Sequence, residues 1–87
     1  MTAENTPRKI DQVLEAAETT TLDSETVAHL LSIPQYQASH ILKSLSQHGH
    51  LSKETINLGY QKGIKYSYSI TGSGKKRLKW LRNNGRL

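Results

Sequence analysis

The hydrophobic period changes near Leu51 in this 87-residue chain, and that change limits what it can fold into. Before it, apolar residues recur at helical spacing. Ile10, Val13, Leu14 and Ala17 fall at i, i+3, i+4 and i+7, one face of a helix. Val27, Leu30 and Leu31 give the core face of a short second helix, and Ala38, Ile41, Leu42 and Leu45 that of a third. After Leu51 the residues alternate. Thr55-Ile56-Asn57-Leu58 and Ile64 to Ile70 read as strands rich in β-branched and aromatic residues, with Ile64, Tyr66, Tyr68 and Ile70 on one face. Leu78 and Leu81 then return to helical spacing. A chain this short buries only roughly 60–65 % of its unfolded surface, enough for one core and little more.

Capping and breaking residues set the boundaries. Thr6-Pro7 is a helix-start signal, so residues 1–6 are expected to be a flexible terminus and 7–87 one domain. Thr19-Thr20-Thr21 ends the first helix, and Asp23 or Ser24 caps the second. Ser32-Ile33-Pro34 breaks it, because the residue before proline disfavours the α region. A third helix over 34–48 closes at Gly49, placed for a left-handed backbone. The loop Gly59-Tyr60-Gln61-Lys62-Gly63 joins the strands as a hairpin. Thr71 caps a last helix ending near Asn83, before Gly85. The expected class is α+β: a three-helix core, a two-stranded hairpin and a C-terminal helix.

The net charge of +5 is unevenly placed. All seven acids lie in residues 1–54 beside only Arg8, Lys9, Lys43 and Lys53, so that segment is −3. Residues 55–87 carry eight bases and no acid, and are +8. Such asymmetry points to a dedicated basic surface and an anionic partner, most often nucleic acid. The absence of cysteine excludes disulfide scaffolds, thiolate zinc sites and cysteine nucleophiles. No apolar run approaches the ~18–20 residues that span a bilayer, and Met1 to Pro7 lack a signal-peptide pattern. A soluble cytoplasmic protein without membrane contact is expected.

Two helices joined by a tight turn and followed by a hairpin form a winged helix-turn-helix order. From Leu22 to Leu51 the chain shows a capped short helix, Ile33 at the turn, small Ala38-Ser39, then Leu42-x-x-Leu45 and Gly49-x-Leu51. This segment resembles the winged helix-turn-helix transcription regulators of bacteria and archaea, and the resemblance extends over about residues 8–83. Ile70-Thr71-x-x-Gly74 is similar to the strand-to-helix junction of multiple-antibiotic-resistance-type repressors. Tyr36-Gln37-Ala38 with Lys62-Gly63 is similar to small pilus-operon regulators. The resemblance implies that helix 34–48 enters the major groove and wing 55–70 rests on the backbone or minor groove.

On the helical wheel, Tyr36, Ser39, His40, Lys43 and Gln47 lie opposite the apolar face of the third helix, with Gln37 beside them. Under the resemblance, Gln35, Tyr36, Gln37, Ser39, His40 and Lys43 read bases: amides suit adenine, hydroxyls several edges, and Lys43 guanine or phosphate. Tyr60, Gln61, Lys62 and Lys65 hold backbone from the wing. The implied protein is a sequence-specific double-stranded DNA-binding regulator, a repressor acting as a homodimer or beside a partner regulator. No cofactor, metal or catalytic activity is expected.

The last helix leaves two uses open. Lys75, Lys79, Arg82 and Arg86 follow i, i+4, i+7 and i+11, a cationic stripe for DNA phosphates or for the acidic stripe Asp11-Glu15-Glu18 of the first helix. Trp80, Leu81 and Leu87 offer an apolar dimer contact or a core edge. The same basic helix also suits a protein–protein adaptor or an RNA-binding module. Sharper motifs fail. Gly72-Ser73-Gly74-Lys75 lacks the first glycine and final hydroxyl of a phosphate loop, and Arg77 replaces the third glycine of a dinucleotide site. His48 and His50 flank Gly49 without the further ligands that a metal needs.

Overall fold

The computed structural model describes residues 8–61 and 63–87. Three helices come first: α1 (Lys9–Ala17), α2 (Ser24–Leu31) and α3 (Gln35–Gln47). An antiparallel hairpin, β1 (Leu51–Asn57) and β2 (Ile64–Ile70), follows in register Leu51↔Ile70 to Asn57↔Ile64. The helix α4 (Gly72–Asn83) ends the chain. The expected Thr6-Pro7 start and flexible residues 1–6 lie outside the described residues.

The turn between α2 and α3 is built from local hydrogen bonds. Asp23 caps α2, its carboxylate accepting the Thr26 N–H at 2.7 Å. Ser32 closes α2 at φ 55°, a left-handed backbone that costs a non-glycine residue about 1–2 kcal/mol. In return the Ile33 N–H reaches the Ala28 carbonyl at 3.1 Å. Pro34 precedes α3, and its carbonyl accepts the N–H groups of Gln37 and Ala38. Gly49, at φ 81°, closes α3 as the sequence suggests.

Val13, Leu14 and Ala17 of α1 pack with Val27, then Ala38, Leu42 and Leu45 of α3, Leu51, Tyr68, and Leu78 and Leu81 of α4. Three expectations change. Leu30 is 57 % exposed; the inward stripe of α2 turns toward Ala28 and Leu31, which are partly buried against the core. The apolar face of β2 is core only at its base. Tyr68 is buried, whereas Tyr66 and Ile64 are exposed because the hairpin outruns the helices. Asp11, assigned to an outer acidic stripe, is buried and accepts a hydrogen bond from Arg8 Nε at 3.2 Å.

β1 starts at Leu51, four residues earlier than the alternation suggests. Ser52, Lys53 and Glu54 are all exposed, so they carry no hydropathy signal, yet they pair with Ser69, Tyr68 and Ser67. On the other edge of β2, Leu22 exchanges both backbone hydrogen bonds with Tyr68, each 2.8 Å. The loop before α2 thus adds a one-residue third strand. A lone leucine after a threonine run gives no period to detect.

The junction into α4 is the tightest contact. The Thr71 hydroxyl caps α4 by accepting the Gly74 N–H at 3.0 Å and donates to the Gly49 carbonyl at 2.6 Å. The Thr71 N–H bonds the His50 carbonyl at 3.1 Å. A Cβ at Gly74 would overlap that same carbonyl oxygen and lie 2.7 Å from Ile70 Cγ1. The obstacle is backbone, which cannot rotate away. Gly74→Ala should therefore cost about 2 kcal/mol or more, despite alanine's better helix propensity. Ser32→Gly should instead raise stability by about 0.5 kcal/mol by relieving the left-handed serine. Urea denaturation of the two variants checks both signs.

Candidate nucleic-acid interface

The outward face of α3 carries the residues assigned to base reading. Gln35, Tyr36, Gln37, Ser39, His40 and Lys43 are all exposed, as is Gln47. Tyr36 is 71 % exposed, a large aromatic kept in solvent at the start of the helix. Gln35 is partly committed, since its amide donates to Ser24 Oγ at 3.0 Å and joins the starts of α3 and α2. Tyr36, Ser39, His40 and Lys43 line a shallow groove of about 420 Å³ together with Lys53, Tyr66 and Tyr68 of the sheet. Gln37 lies outside it.

Lys53 is the residue that the sequence reading missed. Its ammonium sits over the Tyr66 ring, 4.0 Å from the centroid, in a cation–π contact across the two strands. This brings a second cation beside Lys43. The β1–β2 register carries the signal: Lys53 pairs with Tyr68 and so lies on the sheet face of Tyr66. Without that register, a lysine beside a glutamate looks like ordinary surface.

Among the described residues, the wing presents less free positive charge than its sequence suggests. Tyr60 is fully exposed at the tip beside exposed Gln61, and Lys62 lies outside the described residues. Lys65 is turned back to the body, its ammonium 2.7 Å from Asp23 Oδ2. Ile56, Leu58, Ile64 and Tyr66 add exposed apolar surface to the same hairpin.

Asp23 therefore serves two elements at once. Burial pushes its carboxyl up, but hydrogen bonds from Lys65 and Thr26 outweigh this and hold it down, to about 2 from 3.8. The hydrogen bond to Asp23 in turn raises the Lys65 ammonium. A carboxyl depressed in the folded state stabilises the fold above its unfolded value, and that contribution fades as pH falls from 3.8 toward about 2. Asp23→Ala should lose about 1–2 kcal/mol at neutral pH, from the cap and part of an ion pair. Asp23→Asn keeps the cap, should lose under about 1 kcal/mol, and should show a shallower acid-induced loss than the wild type. Thermal denaturation from pH 7 to 2 separates the variants.

On α4 the cationic stripe divides. Arg82 grips Glu18 with both guanidinium nitrogens, at 2.7 and 3.1 Å, and lies 3.8 Å from Glu15. The Arg82 hydrogen bonds lower the Glu18 carboxyl, and Arg82 itself is raised. Of the two uses, Arg82 takes the intramolecular one and clamps α4 to α1. Arg86 falls past the end of α4, beyond Gly85 at φ 68°, so it does not extend a helical stripe. Lys75 and Lys79 remain exposed on the helix. Trp80 is 46 % exposed, with Arg77 stacked 4.6 Å from its centroid. Leu81 is 1 % exposed, so it belongs to the core and offers no surface to a second copy. Leu87 is partly buried against the same core.

Among the described residues, no three His, Asp or Glu side chains converge to hold a metal ion, and no helix is long and apolar enough to cross a membrane. His48 and His50 stack at 6.2 Å with an 11° tilt.

A helix-turn-helix whose second helix shares a groove with a β-hairpin defines a winged helix-turn-helix domain. No family model and no curated protein sequence matches the chain. Solved structures do. The adhesin competence repressor AdcR of Streptococcus pyogenes superposes with a TM-score of 0.72 at 15 % identity, over 91 % of this chain and 57 % of that one. PadR of Bacillus subtilis, solved in complex with operator DNA, gives 0.70 at 23 % identity, over 84 % of this chain and 45 % of that one. A PadR-family transcription regulator of Clostridium difficile gives 0.76 at 14 % identity, over 90 % and 86 %. The chain thus spans about half the length of the first two and most of the third. At these identities the likeness establishes the winged-helix fold.

Proposed function

We propose that this chain is a sequence-specific double-stranded DNA-binding transcription regulator, with α3 in the major groove. The observation that carries the reading is the groove joining Tyr36, Ser39, His40 and Lys43 of α3 to Lys53 and Tyr66 of the hairpin. One concave face then presents hydroxyl, imidazole and ammonium groups to base edges, with two cations for phosphate. PadR, similar in fold, was solved on operator DNA. The protein acts without catalysis, in the cytoplasm. It binds as a homodimer, because two half-sites one helical turn apart multiply the specificity of one short helix. The finer likeness to multiple-antibiotic-resistance-type repressors rests on the Ile70-Thr71-x-x-Gly74 junction, and that to pilus-operon regulators on Tyr36-Gln37-Ala38 and Lys62-Gly63.

Roles divide by chemistry. Lys53 meets phosphate and Lys43 phosphate or guanine, while Tyr36, Ser39 and His40 select sequence. Selection from a random duplex pool should return a palindromic site bound by two copies, as judged by the mass of the complex. Tyr36→Ala combined with Lys43→Ala should erase the preference. Lys53→Ala should weaken all sequences alike and lower the log–log salt slope by about 0.9 per copy. A wild-type chain that enriches no duplex sequence overturns the reading. Preferential capture of structured RNA or of an acidic protein by α4 would do so as well.

A further inference from the structure

A second concave surface lies at the far end of α3. It is a cleft of about 440 Å³ lined by Arg8, Ile10, Asp11, Leu14, Leu45, His48, His50 and Arg77. The lining comes from the start of α1, the end of α3, the loop into β1, and α4. Ile10, Leu14 and Leu45 give it an apolar floor. Two guanidiniums and two imidazoles share its walls with a single carboxylate, Asp11, already bonded to Arg8.

The polar groups are fixed in place. The Arg77 guanidinium stacks on Trp80, and among the described residues it has no acidic partner. His48 Nδ1 donates to the Ser44 carbonyl at 2.7 Å, so Nε2 is the nitrogen left to donate to an anion, which it does as the imidazolium. His50 Nδ1 lies 3.3 Å from Ser73 Oγ. Burial, then Arg77 and His48, hold the His50 imidazole below its ordinary value. Cations and cationisable rings gathered in one cleft repel one another, and an anion would relieve that cost.

We propose that this cleft binds a small phosphate monoester, its phosphate held by Arg77 and the His48–His50 pair and its body lying on Leu14 and Leu45. A dianion matches the donor set better than a carboxylate. Guanidinium forks bind phosphate oxygens in pairs, and a monoester carries a charge of roughly −1.5 to −2 at neutral pH. The floor explains why an ester should bind better than free phosphate. This site is independent of the DNA-binding face, since none of its residues lines the Tyr36–Lys53 groove.

The test follows the imidazole resonances of the whole chain by NMR during titration with phenyl phosphate, inorganic phosphate or phenol. Phenyl phosphate should shift His48 and His50 at the lowest concentration, inorganic phosphate at a higher one, and phenol not at all. Saturation should raise the His50 titration midpoint, as a bound anion stabilises the imidazolium. Arg8, Asp11, Arg77 and His48 line the cleft with His50, Arg77 and His48 acting on its charge, and in Arg77→Gln one of those charges is gone. That variant should bind phenyl phosphate about tenfold or more weakly, the factor for one charge-assisted hydrogen bond. His50→Gln should also weaken binding. Equal response to phenol, undiminished binding by Arg77→Gln, or the same shifts with a random DNA duplex alone would each overturn the proposal.

Discussion

The exchange of two backbone hydrogen bonds between Leu22 and Tyr68 ties the helical half of the chain to the hairpin. Without it a two-stranded ribbon would rest on its side chains alone, and isolated hairpins are marginally stable in water. The pairing buries Leu22 and Tyr68 together and leaves β2 as the central strand of the sheet. It also sets Asp23 beside Lys65, so that one carboxylate starts α2 and holds the wing. The position of the wing relative to α3 follows from these two neighbouring residues. The groove between α3 and the hairpin exists because that relation is fixed.

The fold was legible where burial is one-sided. Ala38, Leu42 and Leu45 sit at zero to 3 % exposure on one stripe of α3, so its extent and orientation follow from spacing. Thr71, Gly49 and Gly85 mark ends through their own backbone chemistry. What the sequence hid lacks such asymmetry. Ser52 to Glu54 are wet on both faces, and their strand is imposed by β2 rather than by their own pattern. Leu30 fits a helical face as well as Leu31 does; only the packing of an eight-residue helix decides between them.

At the candidate site, the exposed face of α3 was legible and the employment of the cations around it was not. Charge is visible in sequence, but partners are not. Lys65 is expected to face outward and instead meets Asp23, 42 positions away; Arg82, for which both uses stood open, meets Glu18 of the acidic stripe, 64 positions away. Lys53 was overlooked because its place depends on strand register. The −3 and +8 halves therefore bind each other in part. The local field over the basic half is weaker than its +8 implies, while the net charge of +5 is unchanged because it already counts the paired acids.

Gly74 has a mechanical consequence. With no side chain between α4 and the His50 carbonyl, backbone lies on backbone, and Thr71 bonds Gly49 and His50 at the same place. No layer of flexible side chains is available there to absorb a displacement. The start of α4 and the end of α3 must move as one lever, with the hairpin pivoting from the same point. A torque applied anywhere along α4 reaches α3 at its closing turn, undamped by rotamer changes.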